Sequence, residues 1–160
     1  MLMQMANAAA EFTGHVKAGN PRWLTFLGRS GTGKTYLARG LAKWCEERYA
    51  VGWSKFKHWP TLLGKLRGGS LDASEAITDL SAFKLLVVDE IGMGADVRDY
   101  GLDCLLRLME GRKRGWTVFT SNLTLKQLAA IDERIASRLL RMGAVVECNT
   151  KDYALRRTQR

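Results

Sequence analysis

Gly28-Arg29-Ser30-Gly31-Thr32-Gly33-Lys34-Thr35 carries the spacing G-x-x-x-x-G-K-[ST]. Ahead of it stands the apolar run Trp23-Leu24-Thr25-Phe26-Leu27, which reads as a strand. Behind it, residues 34–49 place Leu37, Leu41, Trp44 and Cys45 at helical spacing. A glycine-rich loop between a strand and a helix lets successive backbone N–H groups turn inward on phosphate oxygens. The helix N-terminus adds partial positive charge. In that chemistry Gly28 to Tyr36 form the cradle. Lys34 supplies a point charge for the β- and γ-phosphates, and the Thr35 hydroxyl is a ligand for Mg²⁺. The alternative is a strand-to-helix turn that binds nothing.

Outward from the loop, strands and helices alternate. Met5, Ala9, Phe12 and Val16 line one face of a helix over residues 1–18, which Gly19-Asn20-Pro21 stops. Residues 51–57 alternate weakly and predict a second strand. Pro60 suits the first turn of a helix over 61–67, Gly68-Gly69 ends it, and a further helix is expected over 72–80. Leu85-Leu86-Val87-Val88 has no polar face, the pattern of a strand buried on both sides. Val97, Gly101, Cys104, Leu105 and Leu108 mark a long helix, which Arg112-Lys113-Arg114-Gly115 closes with basic residues and a glycine. Residues 116–119 predict a fourth strand. Thr124 and Asp132 cap two short helices, and residues 144–147 predict a fifth strand. Such alternation predicts a parallel sheet covered on both faces.

Two more polar groups follow strands. Asp89-Glu90 ends the buried strand, where a carboxylate can organise Mg²⁺ through water (Asp89) and another can take a proton from attacking water (Glu90). A kinase acting on a substrate hydroxyl has no need of that second acid; a solvated acidic turn is the bland reading. Thr120-Ser121-Asn122 ends the fourth strand, and Asn122 either contacts phosphate and water or simply terminates the strand in a turn.

The chain has 160 residues, enough for one domain with its own core. Lys and Arg number 25 against 16 Asp and Glu, a net charge of +9 that favours a polyanionic partner, nucleic acid before membrane. Cys45, Cys104 and Cys148 are far apart and form no zinc-type cluster, so they read as free thiols of a reducing compartment. No apolar run approaches the ~20 residues of a membrane span, and the N-terminal MLMQMANAAAEF lacks a basic leader region. A cytoplasmic location is expected.

Taken in order, Gly28–Thr35, Leu85–Glu90, Thr120–Asn122 and Asp132-Glu133-Arg134-Ile135-Ala136-Ser137-Arg138-Leu139 resemble the AAA+ ATPases. Within them the chain is similar to the bacterial helicase-loader group, the DnaC type, and to the IstB-type transposition helper. The resemblance runs from about residue 20 to 154. It implies a three-layer α/β/α P-loop NTPase with strand order 5-1-4-3-2 and no substantial lid domain. It also implies that Asn122 is sensor I and that Arg138 is an arginine finger reaching the ATP of a neighbouring subunit; the alternative is that Arg138 pairs with a nearby acid on its own surface. Family members carry an N-terminal helicase-docking domain, whereas about twenty residues precede the first strand here. They also carry a sensor II arginine near Asp-x-Tyr; here Asp152-Tyr153-Ala154 stands there, with Arg156 and Arg157 the nearest substitutes. The expected division is residues 1–20 as an amphipathic helix, 21–150 as the ATP-binding core and 151–160 as a basic tail.

Residues 51–70 hold Lys55, Lys57, Lys65 and Arg67 and no acid, interleaved with Trp53, Phe56 and Trp59. Cations with aromatics suit single-stranded nucleic acid; a solvated helix face over core aromatics is the alternative. In the resembling family this region holds a helix that lines a DNA channel. The resulting expectation is an ATPase that self-associates side by side into an open ring or helical filament, binds Mg·ATP between subunits, and loads a replicative helicase on single-stranded DNA. Two alternatives remain open: a transposition helper on duplex DNA, and a binding module that ATP switches with negligible turnover. A small-molecule kinase is disfavoured by Glu90 and by the missing lid.

Overall fold

Apolar residues fall on both sides of every central strand because helices cover both faces of the sheet. The computed structural model describes residues 2–93 and 99–148. In chain order the elements are α1 (Leu2–Lys17), β1 (Trp23–Leu27), α2 (Lys34–Arg48), β2 (Ser54–His58), α3 (Trp59–Arg67), α4 (Ala73–Ala82), β3 (Leu85–Asp89), α5 (Asp99–Gly111), β4 (Trp116–Ser121), α6 (Leu125–Ile131), α7 (Glu133–Met142) and β5 (Gly143–Glu147). The five strands pair in parallel in the order β2-β3-β4-β1-β5. That is the expected order read from the other edge.

Alternate residues of each central strand enter different cores. Leu24 and Phe26 of β1, Leu85 and Val87 of β3 and Val118 of β4 pack under α1 and α2. Trp23 and Leu27, Leu86 and Val88, and Phe119 pack on the opposite side under α3 to α7. The four α1 residues predicted to share a face, Met5, Ala9, Phe12 and Val16, are all buried in the first core. The three larger ones contribute about 1.5–3 kcal/mol each by burial. Boundaries move slightly: β2 begins at Ser54 rather than residue 51, and α3 begins at Trp59 with Pro60 in its first turn. Val97 lies outside the described residues, as does the stretch 149–160 with Arg156 and Arg157.

At the end of α5 the structure departs from the sequence reading. Arg112 does follow α5, but it is no solvated helix-end cation, being only 1% exposed. Its Nε donates to Thr117 Oγ1 at 3.1 Å, Nη1 to the Ser81 carbonyl at 2.9 Å and to that of Phe83, and Nη2 to the Lys84 and Trp116 carbonyls at 3.0 and 2.5 Å. Burial brings its guanidinium down to about 10. Trp23 Nε1 in turn donates to the Arg112 carbonyl at 3.0 Å. Arg112 therefore ties α4, the segment before β3, α5, β4 and β1 together at the N-terminal end of the sheet, leaving the C-terminal end to the phosphate loop.

Candidate functional site

The loop after β1 is shaped by a glycine that no other residue could replace. Gly28 has φ 116°, and a Cβ there would lie 2.3 Å from the Cys148 carbonyl oxygen at the end of β5. Beyond it α2 starts at Lys34, so the N–H groups of Thr35 and Tyr36 belong to a first helical turn, whose donors lack helical acceptors. The Tyr36 ring itself points to solvent at 84% exposure. Arg29 and Ser30 are also exposed, while Thr32 and Lys34 are buried. Lys34 Nζ donates to the Gly28 and Arg29 carbonyls, both at 2.6 Å, and to Thr32 Oγ1 at 3.3 Å. Burial pushes its ammonium below the ordinary lysine range, opposed by the nearby Cys148, Asp89 and Glu90.

Thr35 Oγ1 donates to Asp89 Oδ1 at 2.8 Å, so the two residues read as metal ligands meet across α2 and β3. Adjacent oxygens of an octahedral Mg²⁺ shell, at about 2.0–2.1 Å from the ion, stand about 2.9 Å apart. The pair fits that ion in donor type, and its spacing is that of two direct ligands, whereas the sequence predicts that Asp89 acts through water. Among the described residues no group of three or more His, Cys, Asp or Glu side chains could hold a metal. Mg²⁺ on a nucleotide needs none, because phosphates and water supply most of its shell.

Thr120 of β4 clamps the turn after β3. Its hydroxyl donates to Asp89 Oδ1 at 2.6 Å and accepts from the Glu90 N–H at 3.0 Å, while its carbonyl accepts from the Ile91 N–H at 2.9 Å. Glu90 is held at φ 62°, the only positive φ outside glycine among the described residues. Such a conformation costs on the order of 1 kcal/mol and persists where the surroundings dictate it. The carboxylate is gripped at both oxygens. Asn122 Nδ2 donates to Oε1 at 2.9 Å, and His58 Nε2 lies 2.9 Å from Oε2. A carboxylate only accepts, so this ring nitrogen carries the proton; His58 Nδ1 meets Thr61 Oγ1 at 2.7 Å. Sequence reasoning missed His58. Its signal was topological: His58 ends β2 directly opposite Asp89 in the register of β2 with β3.

The description IstB-like ATP binding protein belongs to a family model that matches residues 9–160. The chain belongs to this family. The IstB-like domain has the α/β P-loop fold of known replication proteins. It is similar to DnaI, with TM-score 0.75 and 25% identity over 91% of this chain and 83% of DnaI. It is also similar to the DnaC helicase loader, with TM-score 0.71 and 20% identity over 88% and 87% of the two chains. The replication initiator DnaA bound to AMPPCP and single-stranded DNA gives TM-score 0.67 and 16% identity over 88% and 44%. A search of curated proteins gave no match. Among the described residues, no helix of this IstB-like chain is long and apolar enough to cross a membrane.

The remaining expected residues lie away from the loop. Lys55 and Lys57 of β2 and Lys65 of α3 converge, and Lys57 is pushed down by burial and then by the other two. Lys55 also lies 5.5 Å over the Phe83 ring, and Lys55 and Lys57 share a groove with Asp72, Glu75 and Asp79. Arg67 is exposed at the end of α3. The aromatics read as base-stacking partners are otherwise engaged. Trp59 is buried in the core, Phe56 lies under Arg39 at 4.3 Å, and Trp53 stacks between Tyr49 and Trp116. Arg138 Nη1 donates to the Leu106 carbonyl at 2.8 Å and Nη2 to Glu110 Oε2 at 3.0 Å, both on α5. Arg134 is taken by Asp132, the N-cap of its own helix.

Proposed function

We propose that this IstB-like protein hydrolyses ATP at interfaces between copies of itself and couples turnover to loading a replicative helicase on single-stranded DNA. The observation that carries the ATPase reading is Glu90, oriented at both oxygens beside the Thr35–Asp89 pair. The Gly28–Tyr36 loop cradles the triphosphate, and Lys34 exchanges its carbonyl partners for phosphate oxygens. Thr35 and Asp89 would hold Mg²⁺, which supplies positive charge to the β- and γ-phosphates. Each Glu90 oxygen keeps a second lone pair beyond those given to Asn122 and His58, so the carboxylate can also accept from water. Water attacks the γ-phosphorus, the bond to the bridging oxygen breaks, and Glu90 takes the proton. Arg138 of an adjacent copy stabilises the charge that develops on the transferred phosphoryl group. The likeness to DnaI and the DnaC helicase loader favours the loader reading, and the +9 charge suits either DNA form. The family description favours a second, a transposition helper on duplex DNA.

Titration of a fluorescent ATP analogue and steady-state turnover test the core of this reading. Lys34→Ala should lose binding. Glu90→Gln should keep it and lose turnover by about 10²–10⁴-fold, because the lost group acts on water. Equal turnover in Glu90→Gln and wild type would sink the assignment. Stimulation by oligo-dT over duplex of equal length, together with co-purification with the helicase encoded in the same genome, would favour loading over transposition.

A further inference from the structure

A guanidinium that acts across an interface must be presented in one orientation, and α5 supplies a seat for it. Arg138 has five N–H donors, of which two go to the Leu106 carbonyl and to Glu110 Oε2. Its side chain is 28% exposed and opens on a groove of about 390 Å³ flanked by Lys113, Arg134 and Arg141 and by one acid, Glu133. Glu110 is itself fixed from the other side, since Lys113 Nζ donates to Oε1. The order Lys113–Glu110–Arg138 runs from the segment after α5 to α7, and the carboxylate on α5 is its shared member.

An exposed ion pair of this kind contributes about 0–1 kcal/mol to stability, so the fold does not depend on it. Orientation is another matter. A free Arg side chain carries about 2 kcal/mol of rotamer entropy. Losing that freedom beforehand lowers the cost of meeting a phosphate in line. The two donors given to α5 fix the plane of the guanidinium and leave its other N–H groups for an incoming anion.

We propose that Glu110 is a positioning residue, which seats Arg138 so that its remaining donors meet the γ-phosphate of ATP bound to a second copy of this chain. This rests on Arg138 acting in trans, as in the function proposed above. The seat predicts reduced turnover when Glu110 is lost, without loss of ATP affinity, because each copy's own phosphate loop is untouched.

The test compares full-length wild type, Glu110→Gln, Glu110→Ala, Arg138→Ala and the double variant Glu110→Ala/Arg138→Ala. The probes are ATP turnover and the Kd for a fluorescent ATP analogue. Glu110→Ala should lower kcat about tenfold, an orientation loss, with Kd within about twofold. Glu110→Gln, which keeps an acceptor and the shape, should fall between it and wild type. In the Arg138→Ala background, Glu110→Ala should have no further effect. Mixing Glu110→Ala with Glu90→Gln should restore activity, since intact sites then meet well-seated arginines. Unchanged or raised kcat in both Glu110 variants, beside an impaired Arg138→Ala, overturns the seat alone and leaves the trans arginine standing. Additive losses in the double variant overturn it too. An Arg138→Ala protein with wild-type kcat overturns both.

Discussion

Glu90 holds its carboxylate with partners from two neighbouring strands, Asn122 after β4 and His58 at the end of β2. Removing one partner leaves the acid in place but lets it rotate. His58→Ala should therefore lower kcat by about tenfold while the Kd for ATP stays within about twofold. His58→Asn, which keeps a donor on a shorter side chain, should recover part of the loss. The readout is single-turnover hydrolysis with excess protein, which separates chemistry from product release. A matching fall in affinity would mean that His58 supports the phosphate loop instead of the carboxylate. Asp89 follows the same logic. Its Oδ1 accepts from both Thr35 and Thr120, so Thr120→Val should weaken the dependence of binding on Mg²⁺ more than binding itself.

Two elements carry separable predictions. At the junction of α5 and β4, Arg112 satisfies carbonyls from α4, the segment before β3 and β4. Lys cannot reproduce the planar fork, so Arg112→Lys leaves buried acceptors unmade and should cost about 3 kcal/mol. At this chain length that lowers Tm by about 6–12 °C in a thermal melt, with the ATP site unaltered at lower temperature. The β2–α3 unit concerns nucleic acid. Four phosphate contacts would contribute about −2.8 to the salt slope on a single strand, at about −0.7 each. The carboxylates of Asp72, Glu75 and Asp79 in the groove with Lys55 and Lys57 change that expectation. Lys65→Gln should remove about 0.7 from the slope of oligo-dT binding, and Lys55→Gln close to none. Equal effects from both would restore the four-contact picture.

For the whole molecule, the largest lever is the ligand. Lys34 is buried with its ammonium facing carbonyls, and phosphate offers that charge a better partner. Mg·ATP at about a hundred times its Kd should stabilise the fold by about 2.7 kcal/mol. In differential scanning fluorimetry that is a rise of about 5–10 °C in Tm. EDTA should remove most of the rise and Lys34→Ala all of it; a rise that survives Lys34→Ala would place the nucleotide elsewhere. The net charge of +9 also opposes close approach of copies, so assembly should strengthen with polyanion, which neutralises that charge, and with moderate salt, which screens it.

The sequence by itself determined the α/β alternation, the parallel sheet and the phosphate loop. Each is written in contiguous residues: apolar runs without a polar face, a glycine spacing, and caps such as Thr124 and Asp132 that the structure places at helix starts. Tertiary structure alone decided which side chains meet. His58 and Glu90 are 32 positions apart and touch because β2 pairs with β3 in one register. Arg112 looked like a helix-end cation because the carbonyls that enclose it belong to residues 81, 83, 84 and 116. Lys55 and Lys57 looked free of acids because Asp72, Glu75 and Asp79 lie beyond the local window. Hydrogen bonding and burial depend on distance in space, which strand register and helix packing set. A local pattern specifies the element and its chemistry, and the packed fold specifies the partners.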